Sequence, residues 1–195
     1  MNEDYINTGR SNQKQSTRDK ILKSTHDFLK GGLDFSLEDV AFKAGVSRAT
    51  IYRYYSNVDV LASEASLDIN TLSPEELIET LKGQSLKDTI LGIQDYFNLL
   101  AIENENAFRK YLSFNLASTS SESTRGARRE KALQLAFKNT DFATKEKNEM
   151  SHIFTLLMGI EPIIISKDVS GLSNHEALGQ LKKGLLLMLE NFGIK

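Results

Sequence analysis

The chain has 195 residues, of which 40% are apolar and 26% charged, enough for one domain or two small ones around a buried core. The lack of cysteine excludes disulfides, thiol nucleophiles and thiolate metal sites, and the net charge of −2 excludes a basic field over the whole surface. The longest apolar run, at 185–189, is far shorter than the ~20 residues that span a bilayer, and the first twenty residues contain no apolar signal segment. We therefore expect a soluble cytoplasmic protein.

The pattern of apolar residues predicts an all-α fold. These residues recur at spacings of three and four, which is the period of an amphipathic helix. Two prolines are too few for a chain of tight turns, and no Asn-Gly or Asp-Gly hairpin signal occurs.

The sequence of the N-terminal region predicts a polar arm followed by two helices. Residues 1–15 are almost wholly polar and are expected to form a flexible arm. The first helix is expected to start at Ser16 or Thr17 and to end at the glycine pair 31–32. Ser36 and Asp39 have the spacing of a capping box, so a second, short helix should start after Ser36.

A three-residue turn separates the short helix from the next one. Gly45 suits the left-handed conformation in which many helices end, and Ser47 is a good N-cap for a third helix over 48–55. Two short helices joined in this way form a helix-turn-helix. Residues 16–60 are therefore predicted to be a three-helix helix-turn-helix domain.

The remaining residues, 61–195, are predicted to form a helical bundle. A helix from Asn57 or Asp59 to about Ile69 links the bundle to the motif, and the segment 118–124 (STSSEST) is predicted to be a flexible loop. Further helices are expected at 75–82, 86–103, 105–117, 125–139, 145–167 (kinked or restarted by Pro162) and 174–192.

The third helix carries residue types that read DNA. The segment 42–57 contains three basic residues and no acid, so positive charge concentrates there. Arginine can bond guanine bidentately, alanine and threonine methyl groups can contact thymine, and tyrosine hydroxyls and a capped helix N-terminus can reach phosphates. The residues left facing outward are Arg48, Ala49, Thr50, Tyr52 and Arg53.

Residues 17–61 closely resemble the N-terminal DNA-binding domain of the TetR/AcrR family. The resemblance is carried by Gly45-Val46-Ser47, Ala49-Thr50-Ile51-Tyr52 and Tyr54-Tyr55. That family comprises dimeric, mostly repressing bacterial transcription regulators whose helical C-terminal domain dimerises and often binds a small molecule. The resemblance implies a repressor that binds a near-palindromic double-stranded DNA operator as a homodimer and is released by a small-molecule effector.

The resemblance also implies which residues contact DNA. Two positions depart from the family pattern: Val58 stands where the family usually has a lysine, and Glu38 would repel phosphate unless it points away or accepts from a cytosine amino group. The implied base contacts are Arg48, Ala49, Thr50 and Arg53, and the implied phosphate contacts are Thr50, Tyr52 and Tyr54, with help from Ser36, Thr17 and the helix N-terminus capped by Ser47.

Two other functions compete with this one. An architectural DNA-binding protein of the same fold, without an inducer, would differ only in lacking a cavity in the C-terminal bundle. An enzyme with a helical catalytic domain is disfavoured, because no nucleophile–base or metal-ligand spacing is present. We therefore expect no catalytic residue, no metal site and no cofactor.

Apolar residues of the bundle could fill its core, line a ligand pocket or form a dimer interface. The last two predicted helices carry apolar stripes wider than packing within one domain needs, which predicts a two-fold four-helix interface between two copies. The candidate pocket residues are Tyr96, Tyr111, Asn115, Phe154 and Glu161. The candidate interface residues are Met150, Ile153, Leu157, Ile160, Leu178, Leu181, Leu185, Met188 and Phe192.

Overall fold

The structure is a computed structural model that describes residues 3–67, 71–117 and 127–195. Every regular element in these ranges is helical, which confirms the all-α fold class. The predicted loop at 118–124 lies outside the described residues. The helices are α1 (Glu3–Gly31), α2 (Leu37–Ala44), α3 (Arg48–Tyr54), α4 (Val58–Leu67), α5 (Pro74–Thr80), α6 (Leu86–Glu103), α7 (Glu105–Ala117), α8 (Ala127–Phe137), α9 (Thr144–Thr155), α10 (Ile160–Ile164), a π-helical turn (Ile165–Val169) and α11 (Asn174–Asn191).

The chain forms two compact units, the first made of Met1–Asn70 with Asn106–Thr119 and the second of Thr71–Glu105 with Ser120–Lys195. The first unit extends beyond the helix-turn-helix domain that the sequence predicts, which ends at residue 60. Leu61 and Ala65 of α4 and Ala107 of α7 are buried in the same core as Ile21 of α1. Burial of these side chains joins α4 and α7 to the first unit.

The first helix begins at Glu3 rather than at Ser16 or Thr17, so the segment predicted to be an arm is helical from Glu3 onward. Thr17 lies inside the helix, where its hydroxyl donates to the carbonyl of Gln13 at 2.9 Å. Two residues further on, the side-chain amide of Gln15 donates to the carboxylate of Asp19 at 2.8 Å. Side-chain bonds at a spacing of four support a polar helix that no proline interrupts.

The second unit is built around a continuous apolar core from α5, α6, α8, α9 and α11. Aromatic rings occupy its centre: Phe137 lies 6.3 Å from Phe154, and Phe154 lies 5.8 Å from Phe192, measured between ring centroids. Two amide side chains, Gln94 and Asn98 of α6, are buried in the same unit.

The helix predicted over 145–167 is interrupted earlier than the expected kink or restart at Pro162, because α9 ends at Thr155 and α10 starts at Ile160. Gly159 has φ of 85°, a conformation that glycine adopts without strain, and its N–H donates to Oδ1 of Asn98 at 2.7 Å. The side-chain amides of Gln94 and Asn98 both donate to the carbonyl of Leu157 at 3.2 Å. A glycine and two buried amides therefore break the helix three residues before Pro162.

By length and composition, Thr144–Val169 is the one segment of the described residues long and apolar enough to cross a membrane. Half of its most apolar window is buried inside the unit, and the helix is broken before Gly159. Both features are those of a core segment.

Candidate nucleic-acid interface

The start of α2 is fixed by a complete capping box, as the sequence predicts. The backbone N–H of Asp39 donates to the hydroxyl oxygen of Ser36 at 3.2 Å, and the backbone N–H of Ser36 donates to the carboxylate of Asp39 at 2.8 Å. Hydrogen bonds from the Ser36 hydroxyl and backbone lower the pKa of Asp39. Ser36 is thereby engaged in holding the helix-turn-helix in place.

The turn between α2 and α3 is set by one glycine and one serine. Gly45 has φ of 66° and ψ of 33°, the left-handed conformation that side chains disfavour. The hydroxyl oxygen of Ser47 then accepts the backbone N–H of Thr50 at 3.1 Å, which caps α3. These two residues place Arg48 and Ala49 in the first turn of α3.

Buried residues hold α3 against its neighbours. Ile51 is fully buried with Val40 of α2 in the core of the first unit, and Tyr55 is almost fully buried behind α3. The hydroxyl of Tyr55 donates to Oε1 of Glu64 at 2.8 Å, and Nη2 of Arg18 lies 2.8 Å from the same oxygen. Burial is the main reason that the pKa of Tyr55 is raised. These contacts fix the orientation of α3 relative to α1 and α4.

An acidic residue lies on the outward face of the motif. One oxygen of Glu38, Oε1, forms an ion pair with Nε of Arg48 at 3.0 Å and accepts a hydrogen bond from the hydroxyl of Tyr52 at 2.9 Å. The Tyr52 bond is the main reason that the pKa of Glu38 is lowered. The guanidinium carbon of Arg48 also lies 5.6 Å from the centroid of the Tyr52 ring. The sequence left the direction of the Glu38 side chain open, and the structure turns it toward Arg48 and Tyr52.

Most of the other predicted DNA contacts line an open groove of about 750 Å³ between α1 and α3. The hydroxyl of Tyr54 donates to the carbonyl of Lys14 at 3.2 Å, and the guanidinium carbon of Arg53 lies 5.8 Å from the Tyr54 ring. Sequence reasoning missed Gln13 and Lys14, because it placed them in an arm rather than on a helix. The groove is lined by Gln13, Lys14, Thr17, Gly45, Val46, Ser47, Thr50, Arg53 and Tyr54.

The candidate pocket residues are divided between the two units. Tyr111 and Asn115 belong to α7 and the first unit, and the side chain of Asn115 lies outside the described part of the structure. In the second unit, the hydroxyl of Tyr96 accepts the backbone N–H of Leu72 at 2.7 Å, and Phe154 is fully buried. Glu161 forms a bidentate pair with Arg129, with N–O distances of 2.8 and 3.1 Å.

Several candidate dimer residues face the interior of their own unit. Met150, Ile160, Leu181 and Leu185 are buried in the single chain, so they cannot supply an outer surface. An apolar spacing of three and four marks a buried helix face, whether that face packs on its own unit or on a partner. The exposed apolar side chains of these segments are Leu156 (71%), Ile165 (60%), Val169 (79%), Leu186 (37%) and Leu187 (59%).

A capped short helix, a left-handed glycine turn and a second helix with exposed arginine and tyrosine define a helix-turn-helix DNA-binding protein. Residues 25–65 match the model of a family described as bacterial regulatory proteins, tetR family. The match spans the end of α1, the helix-turn-helix and most of α4, so this part of the chain is a DNA-binding domain of the TetR type. Among the described residues, no group of three potential metal ligands is present.

The fold of the chain is similar to that of a solved structure. It is similar to the crystal structure of a TetR transcriptional regulator from Rhodococcus sp. RHA1, with a TM-score of 0.59. The match covers 90% of this chain and 97% of the other at 15% sequence identity, so it shows the fold alone. No curated protein sequence matches the chain.

Proposed function

We propose that this chain is a TetR-family transcriptional repressor that acts in the cytoplasm and places α3 in the major groove of a near-palindromic operator. The observation that carries the proposal is the position of Arg48, whose side chain is 75% exposed in the first turn of α3. The first residues of a recognition helix are those that contact base edges when the helix enters the major groove. Arg48 is therefore the residue to which we assign a bidentate guanine contact.

The other contacts divide between bases and backbone. Ala49 and Thr50 follow Arg48 and offer methyl groups to thymine. Arg53 lies five positions after Arg48, or about 140° further around the helix, so the two arginines cannot read one base. We assign Arg53 to a phosphate, together with the N-terminus of α3 that Ser47 caps. The hydroxyls of Tyr54 and Thr17 line the same groove and reach a phosphate by leaving the backbone carbonyls to which they donate.

The proposal is tested by selecting binding sites from random duplex DNA. We expect the enriched sequences to contain two inverted half-sites whose centres lie about 34–36 Å apart or slightly more, because a two-fold dimer presents one α3 per half-site. Binding to the selected duplex should weaken steeply with salt, since phosphate contacts release counterions. Enriched sequences without inverted symmetry, or no enrichment, would refute the proposal.

We further propose that the second unit forms the homodimer, through apolar side chains that the single chain leaves exposed. Leu156 and Leu187 are 71% and 59% exposed, and Ile165 and Val169 are exposed in the π-helical turn. Exposed apolar side chains of this size on neighbouring segments of one chain are typical of an interface. This assignment replaces the buried members of the sequence-based set with exposed ones.

The dimer is tested by placing a charge in the proposed interface. Leu187→Glu is expected to convert the dimer to a monomer at micromolar concentration, because the carboxylate would lose water against an apolar partner surface. Lys138→Glu, an exposed site just after α8, is the control and should leave the dimer intact. Light scattering gives the mass of each protein. A wild-type monomer, or a Leu187→Glu dimer of unchanged affinity, would contradict the assignment.

Release from DNA by a small molecule is part of the proposal on the family resemblance alone. One observation favours the alternative of a DNA-binding protein without an inducer: Phe154 fills the core between Phe137 and Phe192. The two functions differ in whether the second unit holds a cavity around Phe154. The stability of Phe154→Ala separates a core side chain from a cavity-lining one.

A further inference from the structure

We propose that Glu38 is a positioning residue that determines the base specificity of Arg48. The inference rests on the proposed function, in which Arg48 reads a base. The Glu38 carboxylate pairs with the Nε side of the Arg48 guanidinium at 3.0 Å, so the two terminal amino groups remain for the guanine. Those two groups form the fork that bonds O6 and N7 of guanine bidentately. Although the Glu38 carboxylate repels phosphate, it supports base recognition because it positions the Arg48 guanidinium.

Tyr52 completes the arrangement. Its hydroxyl donates to the same Oε1 of Glu38 at 2.9 Å, and its ring lies 5.6 Å from the guanidinium carbon of Arg48. The proton that Tyr52 would donate to a phosphate is therefore committed to Glu38. In the free protein Tyr52 helps to fix the Glu38 carboxylate and the Arg48 guanidinium, and it can donate to DNA only by leaving Glu38.

Charge explains why such a residue raises specificity. A carboxylate on a DNA-facing surface weakens binding to every duplex, because it repels phosphates regardless of sequence. An arginine already held in its reading geometry loses fewer rotamers on binding the correct base, which favours the cognate site alone. Glu38 therefore lowers non-specific affinity while it supports specific affinity, and both effects raise the ratio between them.

The test compares Glu38→Ala and Glu38→Gln with the wild-type protein on three duplexes. These are the selected operator, the operator with the Arg48-dependent base pair changed, and an unrelated sequence. We expect Glu38→Ala to bind the unrelated duplex more tightly, and its preference at that base pair to fall about three- to tenfold per half-site, part of what a bidentate guanine contact supplies. Preference at the other base pairs should not change. Glu38→Gln keeps an acceptor oxygen and should lose less.

The matched control is Asp27→Asn. Asp27 is a partly exposed acid of the same unit that pairs with a lysine, Lys43, at 2.9 Å, and it does not contact Arg48 or Tyr52. Its replacement removes the same charge, so it should strengthen binding to all duplexes alike and keep the base preference. Thermal unfolding followed by circular dichroism confirms that each variant is folded.

A double-mutant cycle gives the decisive outcome. In an Arg48→Ala background, Glu38→Ala should have no further effect on preference at the Arg48-dependent base pair, because the residue acts through the arginine. The positioning role is refuted if folded Glu38→Ala keeps the full preference at this base pair. It is also refuted if Glu38→Ala lowers that preference as much in the Arg48→Ala protein as in the wild-type protein. If the wild-type protein shows no base preference at any position, it is the proposed function that fails.

Discussion

Replacing Arg48 with alanine is expected to weaken binding to the selected operator by about 1–3 kcal/mol per half-site and to relax preference at one base pair. The side chain is 75% exposed in the first turn of α3, and its Nε forms an ion pair with Glu38. The expected loss is concentrated at one position, because a bidentate arginine distinguishes guanine from the other bases by two hydrogen bonds. Titrations on the operator and on each of its single-base variants measure both quantities.

Arg53→Ala is the matched control for that experiment, since it removes the same side chain from the same helix. Arg53 lines the groove with Lys14 and Thr17, where we assign it to a phosphate. Its loss should weaken binding to all sequences by a similar factor and reduce the salt dependence by about one counterion. If Arg48→Ala kept the full base preference, Arg48 would not be the residue that reads a base. If Arg53→Ala lost base preference, Arg53 would contact a base and not only a phosphate.

The helix-turn-helix could be predicted because its signals are local in the sequence. Ser36 with Asp39 and Ser47 with Thr50 are capping pairs three residues apart, and Gly45 marks the turn between them. Each pair is specified by its own few residues, so tertiary packing cannot easily override it. The same locality explains why the fold class was correct.

The parts that the sequence did not reveal depend on contacts between distant residues. The break after α9 is stabilised by Asn98, whose Oδ1 accepts from Gly159, 61 residues later. Glu38 and Tyr52 are 14 residues apart, and the bond between them depends on how α2 and α3 cross. No spacing rule within one helix predicts either contact.

The residues predicted to form the dimer interface show a second limit of prediction from the sequence. Leu185 and Leu187 of α11 are equally apolar, but Leu185 is fully buried and Leu187 is 59% exposed. Which of them faces the core depends on the rotation of α11 against α6 and α10, which periodicity alone does not fix. Similarly, the sequence could not separate an aromatic core residue from a cavity-lining one.

Phe154→Ala is expected to lower the free energy of unfolding by about 3–5 kcal/mol, the usual cost of removing a fully buried aromatic side chain. Phe154 is fully buried, with the rings of Phe137 and Phe192 at 6.3 and 5.8 Å. The deletion removes apolar contacts and leaves a hollow that the surrounding helices fill only in part. Urea unfolding of the wild-type and variant proteins gives the difference, provided that the slope of the transition is unchanged.

Phe42→Ala is the control, because it makes the same chemical change at a side chain that is 91% exposed on α2. A surface substitution of this kind should change stability by no more than about 0.5 kcal/mol. A large loss for Phe154→Ala against no loss for Phe42→Ala would place Phe154 in a packed core and favour a regulator without an inducer site there. A loss below about 1 kcal/mol at Phe154 would instead mean that the side chain borders a hollow, since little packing is then lost on truncation. That result would favour release from DNA by a ligand bound in the second unit.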